Sequence, residues 1–126
     1  MIEMLIGVGE SIGVGPGSWY LEDDEWYYCA VDHRELKNIC SPFLDDTDPN
    51  QIRTVTRSGE THDIPLNNID TRYVTDMNRM FQNATNFNQD LSKWCVTNIT
   101  SKPNNFNPGS KLTAANLPRW GTCPNG

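Results

Sequence analysis

The chain has 126 residues, of which 37% are hydrophobic and 21% charged, and its formal net charge is −6. This length fits one domain with a short appendage. No run approaches the roughly 18 apolar residues of a transmembrane helix, so no membrane span is expected. Residues 1–63 hold 13 acidic and 4 basic side chains, whereas residues 64–126 hold 3 acidic and 6 basic ones. This pattern indicates solvated faces or contacts between acidic and basic halves of subunits, and it disfavours nucleic-acid binding.

Residues 1–18 form an apolar, glycine-rich segment in which five glycines alternate with aliphatic residues and methionine. No Gly-Lys-Ser/Thr follows, so a phosphate-binding loop is not indicated. The segment lacks a basic start and is interrupted by Glu3 and Glu10, which is not typical of a signal peptide. We expect an extended N-terminal arm that docks on other structural proteins or on the same arm of sister subunits, which predicts a homo-oligomer.

Two hairpins are predicted in the next part of the chain. Trp26–Val31 has the composition of a strand, and an acidic turn at Glu22–Glu25 precedes it, which favours a first hairpin. Ile52–Val55 and Thr61–Leu66 lie on either side of Ser58-Gly59, a turn dipeptide that favours a second.

A short helix is predicted between the hairpins. Asp32 and Glu35 have the spacing of a capping box, which predicts a helix over Asp32–Ile39. Pro42 follows closely and predicts its end.

Two acidic stretches have some features of calcium sites. Glu22–Glu25 offers four carboxylates in a row, although such runs more often form solvated turns. Asp46–Asn50 copies the first three ligand positions of a calcium loop, but Gln51 and Arg57 stand where that loop needs glycine and a bidentate acid. We therefore expect no metal site. The five aromatic residues within 19–28 could form a sugar-stacking platform, but packing in a core or interface is the commoner arrangement.

The stretch Val74–Trp94 has the clearest pattern in the chain. Met77, Met80, Phe81 and Ala84 fall at i, i+3, i+4 and i+7, which predicts a two-turn helix with Asp76 as its N-cap. So short a unit cannot bury its own apolar face and needs a neighbour stacked on it.

A second, degraded copy of this pattern follows directly in the sequence. When Val74 is aligned with Ile99, Phe81 falls on Phe106. Pro103 occupies a helix position of this copy and removes a backbone N–H. We interpret the degraded copy as a cap that closes the open end of the stack.

Two sequence motifs within this pattern resemble those of a known protein family. Val-Thr-Asp-Met-x-x-Met-Phe followed by Phe-Asn-Gln-Asp-Leu-x-x-Trp resembles the repeat of BspA-like leucine-rich-repeat surface proteins, most closely over Arg72–Pro124. The resemblance implies an α/β fold: a short leucine-rich-repeat-like solenoid with a capping repeat and an extended glycine-rich arm. The expected segments are the arm (1–18), a lead-in region (19–71), and the repeat plus cap (72–124). The expected repeat core is Val74, Met77, Met80, Phe81, Phe87, Leu91, Trp94, Ile99, Phe106 and Trp120.

Four cysteines allow three pairings. Cys95 and Cys123 follow Trp94 and Trp120 at nearly equivalent places in the two copies, so adjacent turns could bring them together. Cys29 and Cys40 could also pair if the helix folds back. Neither a Cys-x-x-Cys motif nor a Cys/His cluster is present, so zinc is not expected.

No catalytic constellation is evident, since neither histidine neighbours a nucleophile in a known frame. We expect a non-enzymatic protein without cofactors. Disulfides imply an oxidising destination. A protein carried on a virus particle would reach such an environment on lysis of the host, without a signal peptide. The expected function is that of a phage structural protein of the tail, fibre or capsid. It would lie on the virion surface and serve host attachment, through a receptor or glycan, or particle reinforcement. The alternative is a fragment of a bacterial cell-surface adhesin.

Overall fold

The computed structural model describes residues 15–45, 48 and 50–123. Most of the predicted arm, together with Asp46, lies outside these residues. The first hairpin consists of β1 (Trp19–Glu22) and β2 (Glu25–Cys29), which pair antiparallel with Leu21 opposite Trp26. Asp23 and Asp24 connect them with φ of +52° and +65°, as a two-residue hairpin turn with the mirror-image geometry requires. The first predicted hairpin is thus confirmed.

The single α helix of the described residues, α1, spans His33–Cys40. The Asp32 carboxylate accepts a hydrogen bond from the Glu35 N–H at 2.9 Å, so the predicted N-cap is confirmed. The Glu35 carboxylate accepts from the Val31 N–H at 2.7 Å, one residue earlier than a standard capping box. A 3₁₀ turn over Ser41–Phe43 follows directly and contains Pro42, which lacks the N–H that a longer helix would need.

The second predicted hairpin is also confirmed. Strands β3 (Ile52–Arg57) and β4 (Glu60–Pro65) form a two-stranded antiparallel sheet. Both residues of its turn, Ser58 and Gly59, have positive φ. After a 3₁₀ turn at Leu66–Asn68, the short strand β5 (Ile69–Asp70) pairs parallel to β2, which gives a three-stranded sheet in the order β1–β2–β5.

The predicted solenoid fold is wrong. In residues 71–123 the structure has no α helix or strand, only turns and a 3₁₀ turn at Ala114–Asn116, so the strand–helix units of a leucine-rich repeat are missing. The predicted helix after Asp76 is replaced by consecutive turns, because Arg79 and Asn83 both adopt a φ of +61° that a right-handed helix cannot contain. Asp76 instead accepts from the Asn78 N–H at 2.9 Å in an Asx turn.

Backbone hydrogen bonds join two irregular stretches of this region, residues 79–96 and 104–122. N–H groups of the first stretch donate to carbonyls of the second at 2.8–3.1 Å: Arg79 to Asn104, Phe81 to Phe106, Asn83 to Pro108, Leu91 to Asn116 and Val96 to Thr122. These bonds pair backbone groups that no helix or strand of this region satisfies. The region therefore combines local turn bonds, such as Met80 N–H to the Met77 carbonyl, with bonds between distant residues, and has no helix or strand.

Nine of the ten predicted core residues are buried, and Trp120 is partly buried against them. Phe81 lies at the centre of an aromatic group: its ring stacks on Phe87 at a centroid distance of 4.0 Å and meets Phe106 edge-on at 5.3 Å. The same hydrophobic cluster includes Tyr28, Leu36 and other side chains from the N-terminal half. One core thus connects the hairpins and helix with the irregular region.

Candidate functional site

The predicted disulfide between Cys95 and Cys123 is confirmed. It links positions 28 residues apart, and hydrogen bonds on both sides support it: the Val96 N–H donates to the Thr122 carbonyl at 2.8 Å and the Gly121 N–H to the Ile99 carbonyl at 2.8 Å. The C-terminal stretch is therefore both covalently and non-covalently attached to the turn that contains Cys95.

The alternative pair of cysteines is not joined. Cys29 and Cys40 are buried free thiols, Cys29 at the end of β2 and Cys40 at the end of α1, so that predicted pairing is wrong. Burial raises the pKa of the Cys29 thiol to about 12 and raises that of Cys40 as well. Burial therefore disfavours the thiolate, which is the nucleophilic form, at both positions.

A buried carboxylate, Asp70, is the centre of a polar network that the sequence did not indicate. The Tyr20 hydroxyl donates to Asp70 Oδ2 at 2.7 Å, and Arg72 Nε lies 3.0 and 2.8 Å from the two carboxylate oxygens. Burial, followed by this hydrogen bond, raises the pKa of Tyr20 well above its ordinary value. Because both oxygens of Asp70 accept hydrogen bonds, the network connects β1 to the chain after β5.

The aromatic side chains of the first hairpin divide between its two faces. His62 of β4 lies beside both tryptophans, with ring centroids 4.2 Å from Trp26 and 4.6 Å from Trp19. On the opposite face Tyr20 and Tyr27 stack at 5.3 Å. No flat platform of all five rings is formed, since the indoles pack against the second hairpin.

The acidic turn exposes the side chains of Asp23, Asp24 and Glu25. Glu25 accepts a hydrogen bond from Asn68 Nδ2 at 3.2 Å. Within the part of the chain that the structure describes, no three acidic, histidine or cysteine side chains converge as a metal site would require.

One concavity of the described surface is a polar groove centred on Asn78, which we call the Asn78 groove. Three exposed residues line both of its ends and are called its floor below: Asp76, Asn78 and Asn104. The Asn78 side-chain oxygen accepts from the Asn104 N–H at 3.1 Å, and the Asn78 carbonyl lies 3.2 Å from His33 Nε2. Lys37 Nζ lies 3.5 Å from the carbonyl of Arg79 at the same end.

The other end of the Asn78 groove is lined by Asn98, Thr100 and Lys102, and the volume on this side is about 350 Å³. This falls within the size range of small-ligand clefts. Sequence reasoning missed the groove because its walls come from the helix, the turn after Asp76 and the stretch 98–104, which are far apart along the chain.

Comparison with known proteins gives one positive result. No curated protein and no solved structure matches the chain. Among the described residues, no helix has the length and apolar character that a membrane crossing requires. Residues 49–123 match one protein family, and this range covers more than half of the 126 residues and includes the second hairpin, the groove floor and the disulfide. The chain therefore belongs to the family described as Mycoplasma protein of unknown function, DUF285.

Proposed function

We propose that this protein is a non-enzymatic binding or structural component displayed at a surface outside the reducing cytosol. The Cys95–Cys123 disulfide carries this proposal, because structural disulfides persist mainly in oxidising surroundings. The bond closes a stretch with little regular structure, and by joining positions 28 residues apart it restricts the unfolded chain.

The arrangement of ionisable groups supports a non-enzymatic role. Arg72 is paired with Asp70, Arg57 with Glu35, and His62 with Glu60. His62 also lies between two indole rings. These groups stabilise contacts between elements, and none of them approaches a nucleophile in the geometry of general base catalysis.

Two surfaces fit the proposal. The first is that of a phage particle, where the protein would be a tail, fibre or capsid accessory with a role in host attachment or reinforcement. The second is the surface of a bacterial cell, which the family description favours because it names Mycoplasma. The likeness of Val74–Trp94 to BspA-like surface proteins supports display in either place, and it concerns the motif alone.

The location can be tested on the native protein. We expect a membrane-impermeant amine label to modify exposed lysines such as Lys111 on intact particles or cells. Mass spectrometry of non-reduced peptides should recover Cys95 linked to Cys123 from the same sample. Labelling only after lysis, or free thiols at both positions, would overturn the proposal. Recovery from purified particles or from washed cells separates the two surfaces.

The arm of residues 1–18 is proposed as the attachment segment to other particle proteins or sister subunits. Only residues 15–18 of it belong to the described structure. There the Gly17 N–H donates to the Cys29 carbonyl at 2.7 Å, so the arm leaves from the edge of the first hairpin. Removal of residues 1–14 leaves this contact in place and should yield a folded protein that no longer enters particles or oligomers. Normal assembly of the shortened protein would disprove the attachment role.

A further inference from the structure

We infer that the Asn78 groove binds an acidic saccharide, meaning a sugar chain that bears carboxylate or sulfate groups. This inference deepens the proposed surface function and rests on it. Three features of the groove point to this ligand: unpaired cations, amide side chains with free hydrogen-bonding groups, and a rigid floor.

The cations come from three separate parts of the chain. Lys37 lies on α1, Arg79 in the turn after Asp76, and Lys102 at the opposite end of the groove. Within the described residues none of the three forms an ion pair, whereas Arg57 and Arg72 are each matched by a carboxylate. The Asp76 carboxylate also lines the groove, so the lining has three cations against one carboxylate, a local excess of positive groups on a chain with a net charge of −6. Such groups bind carboxylate or sulfate through charge-assisted hydrogen bonds.

The neutral groups between the cations suit sugar hydroxyls. Asn104 uses its backbone N–H and carbonyl in the floor, and its side-chain amide has no partner among the described residues. In the side-chain amide of Asn78 only the oxygen has a partner among the described residues, which leaves the NH₂ group available. Amides donate and accept at adjacent positions, as sugar hydroxyls do. The groove lining contains no phenylalanine, tyrosine or tryptophan on which a nucleic-acid base could stack.

The floor is held in place before any ligand arrives. The Asn78 N–H donates to Asp76 at 2.9 Å, and the Arg79 N–H donates to the Asn104 carbonyl at 3.1 Å. These bonds fix the backbone on both sides of the groove. A fixed site loses less conformational entropy on binding, so weak polar contacts can add up to useful affinity.

The test uses the full-length, disulfide-bonded protein and calorimetric titration with four probes. Hyaluronan oligosaccharides carry carboxylates, heparin oligosaccharides carry sulfates, maltohexaose is neutral, and polyphosphate is anionic without sugar rings. We expect binding of one or both acidic saccharides. The triple variant K37Q/R79Q/K102Q should weaken it at least about tenfold, the loss of about 1.4 kcal/mol expected if only one of the three cations makes a charged hydrogen bond to the ligand.

The matched control is K93Q/K111Q/R119Q, which removes the same charge from positions outside the groove. It should change the affinity by no more than about twofold, as surface substitutions usually do. A third variant, Asn104→Ala, should weaken saccharide binding but leave polyphosphate binding unchanged.

Three results would overturn the inference: no binding of either acidic saccharide, equal weakening in both triple variants, or saccharide binding insensitive to Asn104→Ala. If the protein is surface-exposed and its disulfide is intact but it does not bind these sugars, this inference alone is disproved. Free thiols and an internal location would disprove the surface function, whatever the titrations show.

Discussion

The parts of the molecule before and after Thr71 are built in different ways. Before Thr71 the chain forms two hairpins and a helix, each completed within a short stretch of sequence. After Thr71 it forms turns in which backbone groups of the stretch 79–96 bond to the distant stretch 104–122, and a disulfide closes the region. Burial is similar in the two parts, since a single hydrophobic cluster includes side chains from both.

The two parts differ in what fixes the backbone: regular hydrogen bonding in the first, and side-chain packing with the disulfide in the second. In the first part, ladders and caps fix the backbone locally, so single side chains on the surface matter little. In the second part, the aromatic group around Phe81 and the disulfide replace regular elements. Substitutions that empty this core should therefore cost more than substitutions on the hairpins.

The largest expected effect is that of Phe81→Ala. Phe81 is 1% exposed and contacts three aromatic rings, so its removal leaves a cavity with no local backbone element to close it. We expect a loss of about 3–5 kcal/mol in the free energy of unfolding, measured by denaturant titration. The control Leu21→Ala changes a side chain that is 54% exposed on β1 and should cost less than about 1 kcal/mol. Equal losses would show that Phe81 does not contribute to the core.

Removal of the disulfide should have the next largest effect. The loop of 28 residues predicts a loss of about 3–4 kcal/mol for the double variant C95S/C123S in the chain-entropy description. The control C29S/C40S replaces two buried cysteines that are not joined. It therefore measures the cost of replacing buried thiols when no disulfide is lost. Adding reductant should destabilise the natural protein and the control but not the first variant. A first variant that still responds to reductant would contradict this prediction.

The sequence predicted the first part well because its signals are local. A turn dipeptide such as Ser58-Gly59 and the cap at Asp32 act on residues close by, and the structure has both features. Prediction failed after Thr71, although the side chains of the proposed helix are buried as expected. Spacing of i, i+3 and i+4 also fits consecutive turns, which differ from a helix in the left-handed conformation at Arg79 and Asn83. That conformation depends on partners in the distant stretch 104–122, to which the N–H groups of both residues donate.

The candidate site was predictable only in part. The Cys95–Cys123 bond was found because both cysteines follow tryptophans in similar contexts. Neither the Asn78 groove nor the pairing of Arg72 with Asp70 has a local signature, because each joins elements distant along the chain or depends on burial created by the fold.

Substitution of two glycines, one in each part of the molecule, should cause losses of stability of intermediate size. Gly59 at the tip of the second hairpin and Gly109 in the irregular part have nearly the same φ, +79° and +83°. A Cβ at Gly59 would meet nothing within 4 Å, whereas at Gly109 it would lie 2.9 Å from Asn83 Oδ1 and 3.3 Å from Asn83 Cα. Gly59→Ala should cost about 1–2 kcal/mol from backbone strain alone. Gly109→Ala should cost clearly more, because the backbone of Asn83 must also move. Equal melting temperatures for the two variants would show that the contact between these stretches is loose.

The smallest effect is expected in the acidic turn of the first hairpin. Replacing its four carboxylates together, as E22Q/D23N/D24N/E25Q, removes charge but keeps the geometry. Asparagine tolerates the positive φ of positions 23 and 24, and glutamine can still accept the hydrogen bond from Asn68. We expect a change below about 0.5 kcal/mol in the free energy of unfolding. The control Asp24→Val removes a single charge but puts a β-branched side chain at a φ of +65°, so it should cost more than about 1 kcal/mol. Calorimetric titration of the natural protein with calcium should give no signal at micromolar concentrations. The prediction fails if the quadruple variant is less stable than Asp24→Val, or if calcium binds through this turn. Either result would show that charge rather than backbone conformation determines the stability of the hairpin.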